Sequence, residues 1–224
     1  MKPGISALLN NRKLFLLSIL SLVFAGILSL LLPGKSTAFI PLYANHPFWL
    51  NVFFVNYTFM GDGVFAICLI AVFIFYLKRK QQGIALLVGF LLSEFIVQLL
   101  KNIDSFTGPT FFFEPGQYLF ITDTISVADH SSLVSGHTAT AFAIVTVLIL
   151  VVKNSNWQLP LLATALLLGY SRIYLAQHHL PEIMIGAIVG TVSGITAVYV
   201  AYYFKWDGHY FKKFQRFKRL SLTS

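Results

Sequence analysis

The residues best suited to chemistry in this chain stand in one stretch, Ser171-Arg172-Ile173-Tyr174-Leu175-Ala176-Gln177-His178-His179-Leu180-Pro181-Glu182. An arginine grips a phosphate through paired N–H groups, and a histidine serves as nucleophile or proton carrier. A carboxylate four residues beyond His178 can orient that ring, as the acid does in a Ser-His-Asp triad. Pro181 suits the first turn of a following helix, and Glu182 suits its positive N-terminal end. On its own the stretch reads almost as well as a polar loop that happens to carry histidines, so its weight depends on partners elsewhere. Two places supply them: Lys101 at the end of one apolar run, and Val134-Ser135-Gly136-His137 at the start of another. Ser135 and Gly136 sit where free backbone N–H groups and the helix dipole favour an anion. Lys101 and Arg172 add positive charge. His137 and His178, from different segments, supply an attacking group and a proton donor. These are the requirements of phosphoryl transfer without a metal.

The elements that must position these groups are membrane helices. The chain has 224 residues, of which 57% are hydrophobic and only 11% charged, far too apolar for an ordinary soluble domain. We expect an all-α integral membrane bundle of six helices in a single domain, with spans at about 14–32, 62–77, 84–100, 138–152, 157–173 and 182–204 and a basic tail over 205–224. The first run is longer than the core of a secretory signal, so an uncleaved helix is favoured over a leader cut near Ser36-Thr37-Ala38. Residues 33–61 read as an aromatic and proline-rich loop with Trp49 and Tyr43 at the interface, part of it lying flat as a short helix. Asp62, after Gly61, is placed to cap the second span. Glu94, Gln98 and Lys101 share one face of the third, either as a polar stripe leading to Lys101 or, for Glu94, as a buried structural hydrogen bond. Gly186, Gly190 and Gly194 recur every fourth residue in the sixth span, a spacing that lets a neighbouring helix approach closely. Glu182 leads that face and is expected to point into the bundle.

Charge sets the orientation. The net charge of +8 suggests nucleic acid at first sight, but the basic residues flank apolar runs and form no basic-aromatic groove, so no nucleic acid is expected as a partner. With six spans, thirteen Lys/Arg fall on the side of the termini and three (Lys35, Lys101, Arg172) on the other. Both termini are therefore expected in the cytoplasm, and the 101–137 and 171–182 segments meet on the outer face. The lone Cys68 lies in an apolar run and can form no internal disulfide. The basic tail can attract anionic lipid headgroups, although orientation of the last span explains it equally.

The three groups resemble the type-2 phosphatidic acid phosphatase family, which also includes vanadium haloperoxidases. The family pattern is Lys-x6-Arg-Pro, Pro-Ser-Gly-His and Ser-Arg-x5-His-x3-Asp. Here the pieces read Lys101-x6-Gly108-Pro109, Val134-Ser135-Gly136-His137 and Ser171-Arg172-x5-His178-x3-Glu182. The resemblance covers roughly residues 57–200. It implies a membrane lipid phosphatase with no metal and no cofactor, its partners being a lipid phosphate substrate and membrane lipids. It further implies that His178 attacks phosphorus and becomes a phosphohistidine, that Glu182 holds His178, and that His137 protonates the leaving oxygen. Lys101, Ser135, Gly136 and Arg172 would hold the phosphate. His130 and His179 take no role from the resemblance.

The departures from the pattern open alternatives. Gly108 stands where the family has an arginine, so a catalytically weakened lipid-phosphate-binding protein is one, and a lipid phosphotransferase is another. Glu182 keeps the charge of the family's aspartate on a longer arm. Val134 in place of proline is expected to alter loop stiffness only. A metal site built from His130, His137, His178, His179 and Glu182 is a further reading, with scattered spacings. The particular lipid and the oligomeric state do not follow from the sequence.

Overall fold

The computed structural model describes residues 12, 15, 17–21, 24, 47–102, 105–107, 130–132, 134–152, 154–175 and 177–203. Expectations for the 33–46 loop, for Gly108 and Pro109 and for the 205–224 tail lie outside these residues. Of the first apolar run, the described residues 15, 17–21 and 24 are helical. Arg12 beside it donates to the Val152 carbonyl, and Phe15 is fully buried.

Helix α1 (Phe48–Thr58) falls in the segment read as an aromatic loop. Pro47 starts it: its extended backbone turns its carbonyl onto Leu50 N at 2.9 Å and Asn51 N at 3.2 Å. Phe48 and Trp49 are 81% and 68% exposed, which suits a helix whose outer side meets lipid or the interface. A 3-10 turn (Phe59–Gly61) follows, and the chain then breaks at Asp62. The break has a chemical cause. Asp62 is extended (φ −79°, ψ 150°), and its carboxylate accepts from Val64 N at 3.3 Å, capping α2 (Gly63–Ala71) as the sequence predicts. The axis bends by 59° there. Helix α2 runs on as a π-helical turn (Val72–Tyr76), which Lys78 closes in the left-handed region at φ 55° while Arg79 N donates back to Phe73 O at 2.8 Å.

Helix α3 (Lys80–Lys101) is followed by a two-stranded antiparallel ladder, β1 (Ser105–Thr107) with β2 (His130–Ser132), in register Ser105↔Ser132 and Thr107↔His130. Among the described residues this ladder interrupts an otherwise all-α fold. The ladder clips the two ends of the 101–137 segment together and returns the chain beside Lys101. Helix α4 (Gly136–Val151), α5 (Gln158–Tyr174, entered through a 3-10 turn at Ser155–Trp157) and α6 (Leu180–Tyr203) complete the described bundle.

Helix α4 is the central post. It is apolar on all sides, and almost every residue from Thr138 to Leu150 is buried, as a helix with neighbours all round must be. Helices α3 and α6 close one side through Leu86, Ile144, Val147 and Val198; α5 closes another through Phe142, Ile149, Leu162 and Leu168. The expected glycine face makes the α4–α6 approach possible. A Cβ on Gly186 would lie 2.7 Å from Ser135 O, one on Gly194 2.7 Å from Thr146 Cβ, and one on Gly190 would strike Ala139 O. Among the described residues two helices, Lys80–Lys101 and Leu180–Tyr202, are long and apolar enough to cross a membrane, and the bent pair Phe48–Gly61 with Gly63–Tyr76 makes a third crossing if taken as one span. The 16 residues of α4 make a shorter apolar helix. The protein is thus a membrane-associated helical bundle.

Candidate active site

The site lies where the N-terminal ends of α4 and α6 meet the C-terminal ends of α3 and α5. Ser135 caps α4. Its buried Oγ accepts from Thr138 N at 3.4 Å and from Thr138 Oγ1 at 3.0 Å, so the first turn of α4 is locally anchored. The backbone N–H of Ser135 donates to Glu182 O at 3.2 Å, which joins the second and third sequence motifs directly. Gly136 follows, and a Cβ there would stand 4.0 Å from Lys101 Nζ and 3.6 Å from Val97 Cγ1. The ammonium at the end of α3 therefore faces the opening turn of α4, adding a cation to a site already favourable to anions. Val134 does more than alter loop stiffness: it is fully buried and packs with Val97 and Ala139, an apolar plug beneath Ser135.

The third motif folds back on itself. Gln177 N and His178 N both donate to Arg172 O, at 3.0 and 3.3 Å, closing the end of α5 and bringing the His178 backbone over the arginine. His178 Nδ1 then meets Glu182 Oε2 at 2.6 Å. The longer glutamate arm reaches the imidazole directly. This short contact fixes the ring and leaves Nε2 as the nitrogen to attack. Burial lowers the His178 pKa, and the positive charges of Arg172 and Lys101 lower it further, while the hydrogen bond and charge of Glu182 oppose them. The neutral ring is favoured, the form a nucleophile needs. His179 is also held below the ordinary histidine range by burial, against the pull of Glu182. Glu182 is only 5% exposed and points into the bundle, as expected.

Arg172 is 8% exposed. One end of its guanidinium is held: Nη1 donates to Thr58 Oγ1 at 2.9 Å. Its Nε is buried with no hydrogen-bond partner among the described residues. His137 stands one residue into α4, partly buried, within electrostatic reach of Asp62, Arg172, His178 and Lys101. All seven candidate residues (Lys101, Ser135, Gly136, His137, Arg172, His178, Glu182) thus gather at one end of the bundle. Glu94 does not join them. It accepts from Thr140 Oγ1 at 2.7 Å across the α3–α4 contact, the structural hydrogen bond that was one of its two readings, and Gln98 is exposed. Among the described residues no three His, Cys, Asp or Glu side chains form a metal-sized cluster; the His130 side chain lies outside that description.

A model of the PAP2 superfamily matches residues 82–206, more than half of the chain. The chain belongs to the PAP2 superfamily. A crystal structure of Aquifex aeolicus LpxE is similar in fold, with a TM-score of 0.59 and 27% identity over 72% of this chain and 92% of that one. No curated protein matches the chain in sequence. Family and fold together support a lipid phosphatase associated with the membrane.

The PAP2 match contains all three motifs but begins after the α1–α2 break. That break still reaches the site. Thr58 holds Arg172, and Gly61 presses on His137 so closely that a Cβ there would lie 2.8 Å from His137 O and 3.0 Å from His137 Cβ. Sequence reasoning missed both contacts. Gly61 beside a capping Asp62 marks a turn, but nothing local shows what the turn packs against.

Proposed function

We propose that the protein is a metal-independent phosphatase of lipid phosphates, acting through a phosphohistidine at the outer face of the cytoplasmic membrane. The observation that carries this is the 2.6 Å contact of His178 Nδ1 with Glu182, beside a buried arginine held edge-on by Thr58. His178 Nε2 attacks phosphorus, and the bond from phosphorus to the lipid oxygen breaks as His137 donates its proton to that oxygen. Water then attacks the phosphohistidine, His137 takes the water's proton, and the P–N bond breaks to release phosphate. Lys101, Arg172, the Ser135 hydroxyl and the Gly136 amide hold the equatorial oxygens, where negative charge is concentrated in the transition state. Glu182 keeps the ring oriented and stabilises the charge it acquires. The substrate is a phosphomonoester or pyrophosphate on a membrane lipid. The exposed aromatics of α1 stand at the headgroup level, and both termini face the cytoplasm.

Gly108 favours a second reading, a lipid-phosphate-binding protein that turns over slowly or passes the phosphoryl group to another acceptor. The two separate in one assay. Purified protein in detergent with chelator is given a panel of lipid phosphates beside His178→Ala. Phosphate release that persists in chelator and vanishes in His178→Ala is the expected result. Lipid binding without release, in folded protein, supports the binding reading instead.

A further inference from the structure

We infer that Thr58 is a positioning residue for the phosphate clamp, so that the α1–α2 break, outside the family-matched region, forms a wall of the site. The inference rests on the phosphatase reading above and adds to it a residue that no motif contains. Thr58 Oγ1 accepts from Arg172 Nη1 at 2.9 Å, across 114 residues of sequence. A guanidinium has five donors in one rigid plane, so fixing one N–H fixes where the others point. The choice of partner matters. A carboxylate in place of Thr58 would neutralise the arginine, whereas a hydroxyl orients it and leaves its charge whole for an anion. Arg172 is also nine-tenths buried, and its Nε has no hydrogen-bond partner among the described residues. A buried cation held at one edge with donor capacity to spare is arranged to receive a phosphate oxygen.

Two observations give this more consequence here than a stray hydrogen bond would have. Gly108 stands where the family has its other arginine, so the clamp depends on the aim of Arg172. Three residues beyond Thr58, Gly61 packs against His137 backbone and Cβ, so one short turn touches both the phosphate-holding arginine and the histidine assigned to the leaving oxygen. The turn is itself anchored, by the Asp62 cap at its end and by Tyr57 Oη donating to Thr164 O at 3.1 Å at its start.

The test uses the full chain in detergent, with Thr58→Val (same shape, no acceptor), Thr58→Ser (acceptor kept), Arg172→Ala and the Thr58→Val/Arg172→Ala pair. Each is checked for helical content and monodispersity. Two readouts are taken: kcat and KM on the preferred lipid phosphate, and the Kd of orthophosphate by calorimetry. Thr58→Val is expected to lose roughly 10²-fold in kcat/KM, the scale of a misplaced clamp, with orthophosphate binding weakened alongside. Thr58→Ser recovers most of both. In the Arg172→Ala background Thr58→Val costs nothing further, because its target is gone. The inference is overturned if Thr58→Val behaves as wild type, if folded Thr58→Ser fails to recover, or if the Thr58→Val loss persists without Arg172. If the wild-type protein releases no phosphate from any lipid, the phosphatase reading fails by itself. The orthophosphate titrations then decide: weakening by Val with recovery by Ser upholds the role of Thr58, and any other pattern, including no binding at all, removes it.

Discussion

At the scale of single residues, His178 and Glu182 form a unit whose behaviour with pH can be worked out. Burial and the cations Arg172 and Lys101 push the His178 pKa down, and Glu182 pushes it up through its hydrogen bond and charge; the downward influences win. A neutral nucleophile is lost when the ring protonates, so activity should fall on the acid side at a pH below the usual histidine value of about 6.5. Replacing Glu182 by glutamine removes an influence that raises the pKa. The acid limb of the kcat/KM profile should therefore move to still lower pH, even as the maximal rate falls by roughly 10³- to 10⁴-fold from lost orientation and charge stabilisation. A merely structural Glu182 would lower the rate and leave the limb in place, and a limb that moved upward would reverse the assignment. Glu182→Asp restores the charge with an arm one methylene shorter than the one that now reaches 2.6 Å. It should recover the wild-type limb but only part of the rate.

Elements act on the site through how closely they pack. The α4–α6 seam sets the distance between Ser135 and Glu182, whose main chains are hydrogen-bonded, and glycine permits that distance. Gly190 is the tightest point of the seam: a Cβ there strikes Ala139 O and lies 2.8 Å from Phe142 Cβ. Gly190→Ala should lower stability by about 1–3 kcal/mol, the usual cost of overpacking, read as a lower midpoint of thermal unfolding in detergent. Gly89 on α3 is the control. A Cβ there meets Ala197 Cβ and Val147 Cγ2 at 3.4 Å, ordinary contact, so Gly89→Ala should be neutral or gain up to about 1 kcal/mol from helix propensity. Equal effects at the two positions would mean that the seam is not set by glycine. The every-fourth-residue spacing made this face legible in the sequence, because helical periodicity converts directly into a shared side. The Glu94–Thr140 bond was half legible: the cost of a carboxylate in an apolar helix says that a partner exists, but not which helix brings it.

For the whole molecule, legibility divides by the reach of each signal. Lys101, the Ser135-Gly136-His137 turn and the Arg172 to Glu182 stretch each announce themselves locally, through residue type, spacing and position at a helix end. Their meeting follows from the alternation of apolar runs and basic turns. Thr58 is different. It is one hydroxyl in an apolar helix, and its meaning lies wholly in a contact with Arg172, which no period or spacing encodes. The β1–β2 ladder was hidden for a related reason: strands of three residues give too little alternation to register. Orientation in the membrane is the global property on which the proposed substrate depends, since the candidate residues gather at one end of the bundle. It rests on thirteen Lys/Arg against three, and the lone cysteine makes it directly testable. With Cys68 replaced by serine, Ser126→Cys reports on the segment between α3 and α4, and Ser221→Cys reports on the tail. A membrane-impermeant maleimide should label Ser126→Cys in intact cells and Ser221→Cys only after permeabilisation. The opposite pattern would turn the bundle over, place Lys101, His178 and Arg172 on the cytoplasmic side, and exchange the proposed outer-leaflet lipid for one presented from within.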